Sequence, residues 1–335
     1  MRVKYILYIL ILLWCYPVLG QIKSGVTWFD ARKNVLNAHG GNVIYHDGVY
    51  YWYGEHKIKG LSESTHADGG VHCYASNDFM KWHDQGMMIS LDRPENQDLT
   101  HECNSDRPKV VYNEKTKMFV MFFKLYLRGM GSDVGYVGVA TSCSPVGPFV
   151  YSHKFLGGNS ANGTGDFAMF KDDDGSLYHI AVQKPSKKLV ISKMTDDYMM
   201  PAEKYSKCEG IEHATEAPAL LKKDGTYYLL GSASTGWAPN AARSYSSNSL
   251  KGPWKNLGNP LYGINPHNGL GPNLSYGGQS NFIFKMPDSD NYVAMFDINK
   301  PEHPFESLYI WLPLKIVDGR MHIEWINDWN ISNFK

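Results

Sequence analysis

The feature that most constrains this chain is a hairpin opening that occurs five times. In each, a short strand-like run passes through a tight polar turn into a second, more aromatic run. The first consists of Gly41-Asn42-Val43-Ile44-Tyr45, the turn His46-Asp47-Gly48, and Val49-Tyr50-Tyr51-Trp52-Tyr53-Gly54. Strand-forming runs on either side of Asp-Gly read as an antiparallel pair, because both turn residues tolerate the left-handed backbone that a tight hairpin needs. The same order returns with turn anchors near residues 114, 174, 224 and 289, and one or two further strand-like runs follow each opening. Long helical periodicities are nearly absent. Repeats of this kind predict four-stranded blades packed face to face around a channel, so the expected fold is all-β, a five-bladed β-propeller. A β-sandwich would explain the alternation of side chains but not five similar openings.

The first twenty residues read as a signal peptide. Arg2 and Lys4 precede an apolar stretch from Tyr5 to Trp14, and Val18-Leu19-Gly20 before Gln21 fits a cleavage site. The stretch is short for a bilayer span, which needs roughly 20 residues, and the bulky Trp14 argues against lipid attachment at Cys15. Residues 21–335 are then expected as a single propeller domain, a monomer that is secreted or periplasmic, with surface association left open and no stable membrane insertion. The formal net charge is zero and becomes −2 without Arg2 and Lys4, and no basic run is present. Nucleic acid is therefore excluded as a partner, since its phosphates would require a positive surface. Four cysteines remain, Cys73, Cys103, Cys143 and Cys208. They are too few for a disulfide scaffold and match no zinc spacing, so buried thiols and a single bridge both stay open.

Three acidic residues stand at equivalent places in this repeat. Asp106, Asp166 and Glu216 precede or begin the first strand of the second, third and fourth units. Innermost strands crowd around the channel of a propeller, so residues far apart in sequence converge there on one pocket. With 22 Tyr and 9 Trp, the chain has aromatic surface to spare for stacking on the apolar face of a sugar.

The ordered set Asn37-Ala38-His39-Gly40-Gly41, Tyr51-Trp52-Tyr53-Gly54-Glu55, Arg107-Pro108-Lys109-Val110, Gly165-Asp166-Phe167-Ala168-Met169-Phe170, Glu216-Ala217-Pro218-Ala219 and Thr235-Gly236-Trp237-Ala238-Pro239-Asn240 resembles family 43 of the glycoside hydrolases. It is most similar to the exo-β-1,3-galactanase branch and covers nearly the whole chain after residue 20. The resemblance implies an inverting, exo-acting hydrolase that releases galactose from β-1,3-galactan or arabinogalactan, a plant-type polysaccharide or oligosaccharide. Glu216 then matches the general acid and Asp166 the residue that orients the acid and sets its pKa. His39-Gly40-Gly41 stands where most of the family has an aspartate base, and Gln279 occupies the position considered for that missing role. Asp106 departs from the branch, which has glutamate there. This departure keeps α-L-arabinofuranosidase and β-galactofuranosidase as alternatives, and the missing aspartate keeps a non-catalytic carbohydrate-binding propeller.

Inverting hydrolysis needs a protonated carboxyl at the leaving oxygen and a second group that activates water from the opposite face, roughly 6.5–9.5 Å away. Glutamine is not an ordinary carboxylate base, so Gln279 would hold water through its carbonyl or act as an imidic acid, with a substrate-binding amide as the rival; Glu55 and Glu102 are the reserve carboxylates. His39, Glu55, Asp106, Arg107, Tyr126, Trp237 and Asn240 are expected to bind substrate, with a structural histidine the equal rival for His39, core packing the rival for Trp237 and an ion pair the rival for Arg107. No catalytic metal is expected and no cofactor is required. A structural calcium ion finds no support in the spacing of Asp172-Asp173-Asp174, which reads as a solvated turn.

Overall fold

The computed structural model describes residues 21–92, 98–100 and 102–331. The expected signal peptide lies outside the described residues. The chain forms a five-bladed β-propeller. Blade one is built from His39–His46, Val49–Lys57, Asp68–Ser76 and His83–Ser90, and blade two from Asn104–Asn113, Met118–Tyr126, Tyr136–Ser142 and Val150–Leu156. Blade three contains Thr164–Lys171, Leu177–Gln183, Leu189–Lys193 and Ser206–Lys207; blade four contains Thr215–Lys223, Thr226–Ala233, Arg243–Ser247 and Lys255–Gly258. Blade five runs through Gln279–Lys285, Tyr292–Ile298, Leu308–Val317 and Arg320–Glu324, and takes Leu261–Tyr262 as a parallel fifth strand. Each of the five hairpin openings is the inner pair of one blade.

The core is divided into five apolar layers, each between neighbouring blades. Between blades five and one, for example, Val43, Trp52, Phe284, Val293, Tyr309 and Trp311 pack together. Trp52 and Trp311 meet edge to face with ring centroids 4.8 Å apart, the arrangement that aromatic quadrupoles favour. Much of the aromatic surplus is thus spent on flat surfaces that let sheets stack. The two ends of the described segment are tied into the same layer: Ile22–Lys23 pairs with Asp328–Trp329, and the Trp329 indole donates to the Trp311 carbonyl at 2.7 Å.

One irregularity recurs in every blade. The innermost strand carries one extra residue relative to its neighbour, with register shifts at His39/Asn42, Asp106/Lys109, Thr164/Phe167, Glu216/Ala219 and Ser280/Phe282. Such β-bulges bend a strand and re-aim its side chains. Here all five lie near the same end of the channel and carry Gly40, Arg107, Asp166, Ala217 and Asn281. Gly40, Arg107 and Ala217 have φ of +63°, +50° and +50°.

Candidate active site

Around these bulges lies a cavity of about 980 Å³. Glu216, Asp166, Gln279, Glu55, Asp106, Arg107, Tyr126 and Trp237 all contribute to its wall. These residues come from all five blades.

Arg107 is the hub. Its Nε lies 3.0 Å from an Asp166 oxygen in blade three, its Nη2 donates to the Gln279 carbonyl oxygen in blade five, and its Nη1 donates to the Ser280 carbonyl at 3.3 Å. Its backbone N–H, turned by the positive φ, donates to Glu55 Oε1 in blade one at 2.7 Å. One side chain and one amide thereby bind three other blades, and the ion-pairing reading of Arg107 is the one its geometry shows.

Lys124 was not singled out from sequence, although it is the only charge in the run Met-Phe-Val-Met-Phe-Phe-Lys-Leu-Tyr of strand Met118–Tyr126. It stands opposite Asp106 in register and places its ammonium 2.7 Å from Asp106 and 3.1 Å from Asp166. Burial alone would raise the Asp166 carboxyl; the Arg107 guanidinium and the Lys124 ammonium outweigh it and hold the group well below the usual carboxylate range. Asp106 is lowered in the same way, against burial, by Lys124 and Lys57. Both are therefore fixed anions at neutral pH.

Glu216 is partly buried and accepts a hydrogen bond from the Ser234 hydroxyl at 2.5 Å. Lys187 donates to the same hydroxyl at 3.0 Å. Gln279 spans the channel: its carbonyl is held by Arg107 and its amide donates at 2.8 Å to Ser232, the register partner of Glu216.

His39 and Asn240 are not in the wall. His39 is 2% exposed and stacks on Tyr309, with ring centroids 4.9 Å apart. Burial, helped by Lys57 and His56, pushes its pKa down to about 3, so it is neutral. The extra residue of the bulge brings Gly40 to the channel and leaves His39 behind it. Asn240 closes its own loop, accepting from the Ala233 amide at 2.8 Å and donating to Thr235 Oγ1 at 2.7 Å. It shapes the loop that carries Trp237. Trp237 itself is 58% exposed at the rim, which excludes core packing. The Tyr126 ring lies 4.5 Å beneath the Lys184 ammonium, which also bonds its hydroxyl. Glu102 is at the rim, paired with Arg128 at 2.5 Å.

Glu55, on the second strand of blade one, fills the space beside Gly40 of the first strand. A Cβ on Gly40 would come 2.3 Å from Glu55 Oε1. Both Glu55 oxygens are engaged, one by the Arg107 amide and the other by Lys57 at 3.0 Å. Glu55, Asp68 and Asp106 bring oxygens within 4.8 Å of one another, a spacing that could suit a cation. The Lys57 ammonium already stands among them, 2.5 Å from Asp68, so the positive charge there is the protein's own. Asp172 is not a solvated turn residue: it pairs with Lys222 at 2.6 Å and accepts from Tyr227 at 2.6 Å. The four cysteines among the described residues are free thiols.

Asp297 was also missed, although it is the lone charge in the strand Tyr-Val-Ala-Met-Phe-Asp-Ile. It lines the cavity, is 4% exposed, and accepts the Gly40 N–H at 2.5 Å.

The sequence profile described as Glycosyl hydrolases family 43 matches residues 34–307. No curated protein sequence matches the chain. Among solved structures, a family 43 β-1,3-galactosidase with galactodeoxynojirimycin is 33% identical with a TM-score of 0.84, covering 92% of this chain and all of its own. An exo-β-1,3-galactanase variant from Phanerochaete chrysosporium with β-1,3-galactotriose is 28% identical with a TM-score of 0.81, covering 93% of this chain and 68% of its own. The exo-β-1,3-galactanase from Clostridium thermocellum is 30% identical with a TM-score of 0.79, covering 92% and 66% respectively. The chain belongs to family 43 of the glycosyl hydrolases and is an inverting glycoside hydrolase.

Proposed function

We propose that this enzyme removes terminal galactose from β-1,3-linked galactan, such as the backbone of an arabinogalactan, with Glu216 as general acid. The observation that carries the reading is the gathering of Glu216, Asp166, Asp106 and Gln279 on one cavity. The β-1,3-galactosidase and galactanases it resembles support the choice of sugar. In this reading Glu216, held by Ser234, gives its proton to the glycosidic oxygen as the C1–O bond breaks. Water adds to C1 from the opposite face, so β-linked galactose leaves as the α-anomer. Asp166 stays ionised between Arg107 and Lys124, where its negative charge stabilises the oxocarbenium-like transition state and biases the proton of Glu216. Asp106, held by Lys124, accepts hydrogen bonds from sugar hydroxyls, and Trp237 offers its exposed face at the rim. The basic and apolar pattern of residues 1–20 supports export, which would bring the site to an extracellular or periplasmic polysaccharide.

The shorter carboxylate of Asp106, drawn to Lys124, leaves more room beside the sugar than glutamate would. This feature favours a furanosidase, acting on α-L-arabinofuranose or β-galactofuranose, as the second reading. β-1,3-Galactobiose is the deciding substrate. Galactose release, with the α-anomer appearing first by NMR, is expected. No release from it, together with cleavage of an aryl arabinofuranoside or galactofuranoside, refutes galactopyranose specificity. The acid assignment is tested by Glu216→Gln, expected to lower hydrolysis of a poor-leaving-group substrate by about 10²-fold or more and to lose much less on a good leaving group. Equal loss on both removes Glu216 from the acid role.

A further inference from the structure

Resting on the hydrolase reading above, we propose that Asp297 is the general base: its free carboxylate oxygen takes the proton of the water that attacks C1. The innermost strand of blade one presents Gly40 to the channel and so supplies no side chain of its own at that position. The Gly40 N–H instead grips Asp297 Oδ2 at 2.5 Å, which holds a carboxylate from the second strand of blade five against the glycine of blade one. Among the described residues no hydrogen-bond donor reaches Oδ1. Asp297 is the direct register partner of Gln279. Opposed residues of an antiparallel pair project on the same face, with Cβ atoms about 5 Å apart, so the amide and the carboxylate address the same volume.

The pairing divides the work between two groups. Gln279, immobilised by Arg107 and Ser232, orients the water through its carbonyl. As an ordinary amide it cannot keep the proton, and Asp297 can. The other carboxylates are less suited. Glu55 has both oxygens engaged, Asp166 and Asp106 are neutralised by cations, and Glu102 is paired at the rim. Behind Asp297 the buried His39 directs an otherwise unpartnered Nδ1 toward Oδ2 at 3.9 Å. The groups facing Asp297 are the Gly40 amide, His39, Glu55, Arg107, Lys109 and Tyr309, its register partner on the third strand of the blade. Burial, then Glu55, raise its pKa to about 7 against the Gly40 hydrogen bond, Arg107 and Lys109, which suits a base working near neutrality. In the step, a water O–H bond breaks as its oxygen bonds to C1. Asp297 gains that proton, Glu216 loses one to the departing oxygen, and solvent exchange restores both groups.

Two variants test this. Asp297→Asn keeps an acceptor for Gly40 and is expected to fold, to bind galactose within a few-fold of wild type by calorimetry, and to lose about 10²-fold or more in kcat. In wild type kcat/KM is expected to fall below about pH 7 as Asp297 protonates; in Asp297→Asn that acid limb disappears from the residual activity. In Asp297→Ala, azide, which has no proton to lose, is expected to restore turnover of an aryl β-galactoside and give the α-galactosyl azide. Wild-type turnover in Asp297→Asn overturns the proposal. So does a loss with the acid limb intact and no azide rescue, which would mark a residue that only holds Gly40. A wild type that spares galactosides but cleaves another aryl glycoside refutes the substrate reading alone, and the same variants are then judged on that substrate. A wild type inert on every glycoside overturns both.

Discussion

Replacing Lys124 by methionine removes one positive charge and leaves a side chain of similar length. Lys124, Asp106 and Asp166 are only 11%, 21% and 13% exposed, so the pairs are weakly screened. At an effective dielectric of about 20, attractions at 2.7 Å and 3.1 Å are about 6 and 5 kcal/mol before desolvation is subtracted. The net cost of stranding buried charges is smaller, about 3–5 kcal/mol. Arg107 still neutralises Asp166, so the stranded charge is mainly that of Asp106. In wild type both carboxyls have depressed pKa values. Their stabilisation is present above the unfolded value of about 3.9 and is lost as pH falls through the folded values. In the variant, burial of Asp106 acts without its closest cation, so its folded pKa rises and protonation relieves the strain.

Urea unfolding at pH 7 and pH 5 reads both effects. Lys124→Met is expected to lose about 3–5 kcal/mol at pH 7 and clearly less at pH 5. A loss equal at the two pH values would show that packing matters and charge does not. A loss below about 1 kcal/mol at pH 7 would show an ion pair no stronger than one on the surface. Either result refutes the account of Asp106 and Asp166 as cation-held anions.

Trp237→Ala is expected to raise KM several-fold, about 1 kcal/mol of lost stacking, with kcat and the melting temperature little changed because the ring is mostly exposed; an unchanged KM on galactan oligomers removes Trp237 from substrate binding. Gly40→Ala should destabilise the fold by about 1–2 kcal/mol from the left-handed backbone alone, and more from displacing Glu55; an unaltered thermal melt refutes the crowding. Gln279→Ala should cost about tenfold or more in kcat, the equivalent of one oriented hydrogen bond of ~1.4 kcal/mol, with inversion retained by NMR. Near-wild-type turnover would exclude Gln279 from handling water.

The blades were legible because a blade opening is local: two strand runs and a turn lie within about twenty residues, and each opening carries its own signal. Asp106, Asp166 and Glu216 were legible because they sit on or beside innermost strands, whose ends must meet at the channel, and Gln279 was legible through the family resemblance. Lys124 and Asp297 were harder to see because they lie on second strands and reach the site by pairing across to a first strand. Their signal was present as a solitary charge in an apolar run, where desolvation allows a charged residue only if a partner awaits it. His39 and Asn240 show the opposite case. Each lies in a matching motif, yet a one-residue bulge turns His39 from channel to core, and Asn240 spends its amide on its own loop. Motif position does not encode such a rotation, because register is settled by the neighbouring strand.

The bulges explain how the site can draw its groups from different strands. A regular inner strand would send alternate side chains into the two blade interfaces and leave few to meet on the axis. One extra residue per strand breaks that alternation near the same end of the channel in all five blades. The freed amides and side chains then bind across blades, as Arg107 N–H does to Glu55 and Gly40 N–H does to Asp297. Each contact fixes a carboxylate that originates on a second strand. A carboxylate can therefore enter the cavity from beside a blade whose own innermost residue is glycine, provided that a bulged amide is there to hold it. On this view the chemistry depends on where a charged oxygen is held in the cavity, and the blade that supplies it can change.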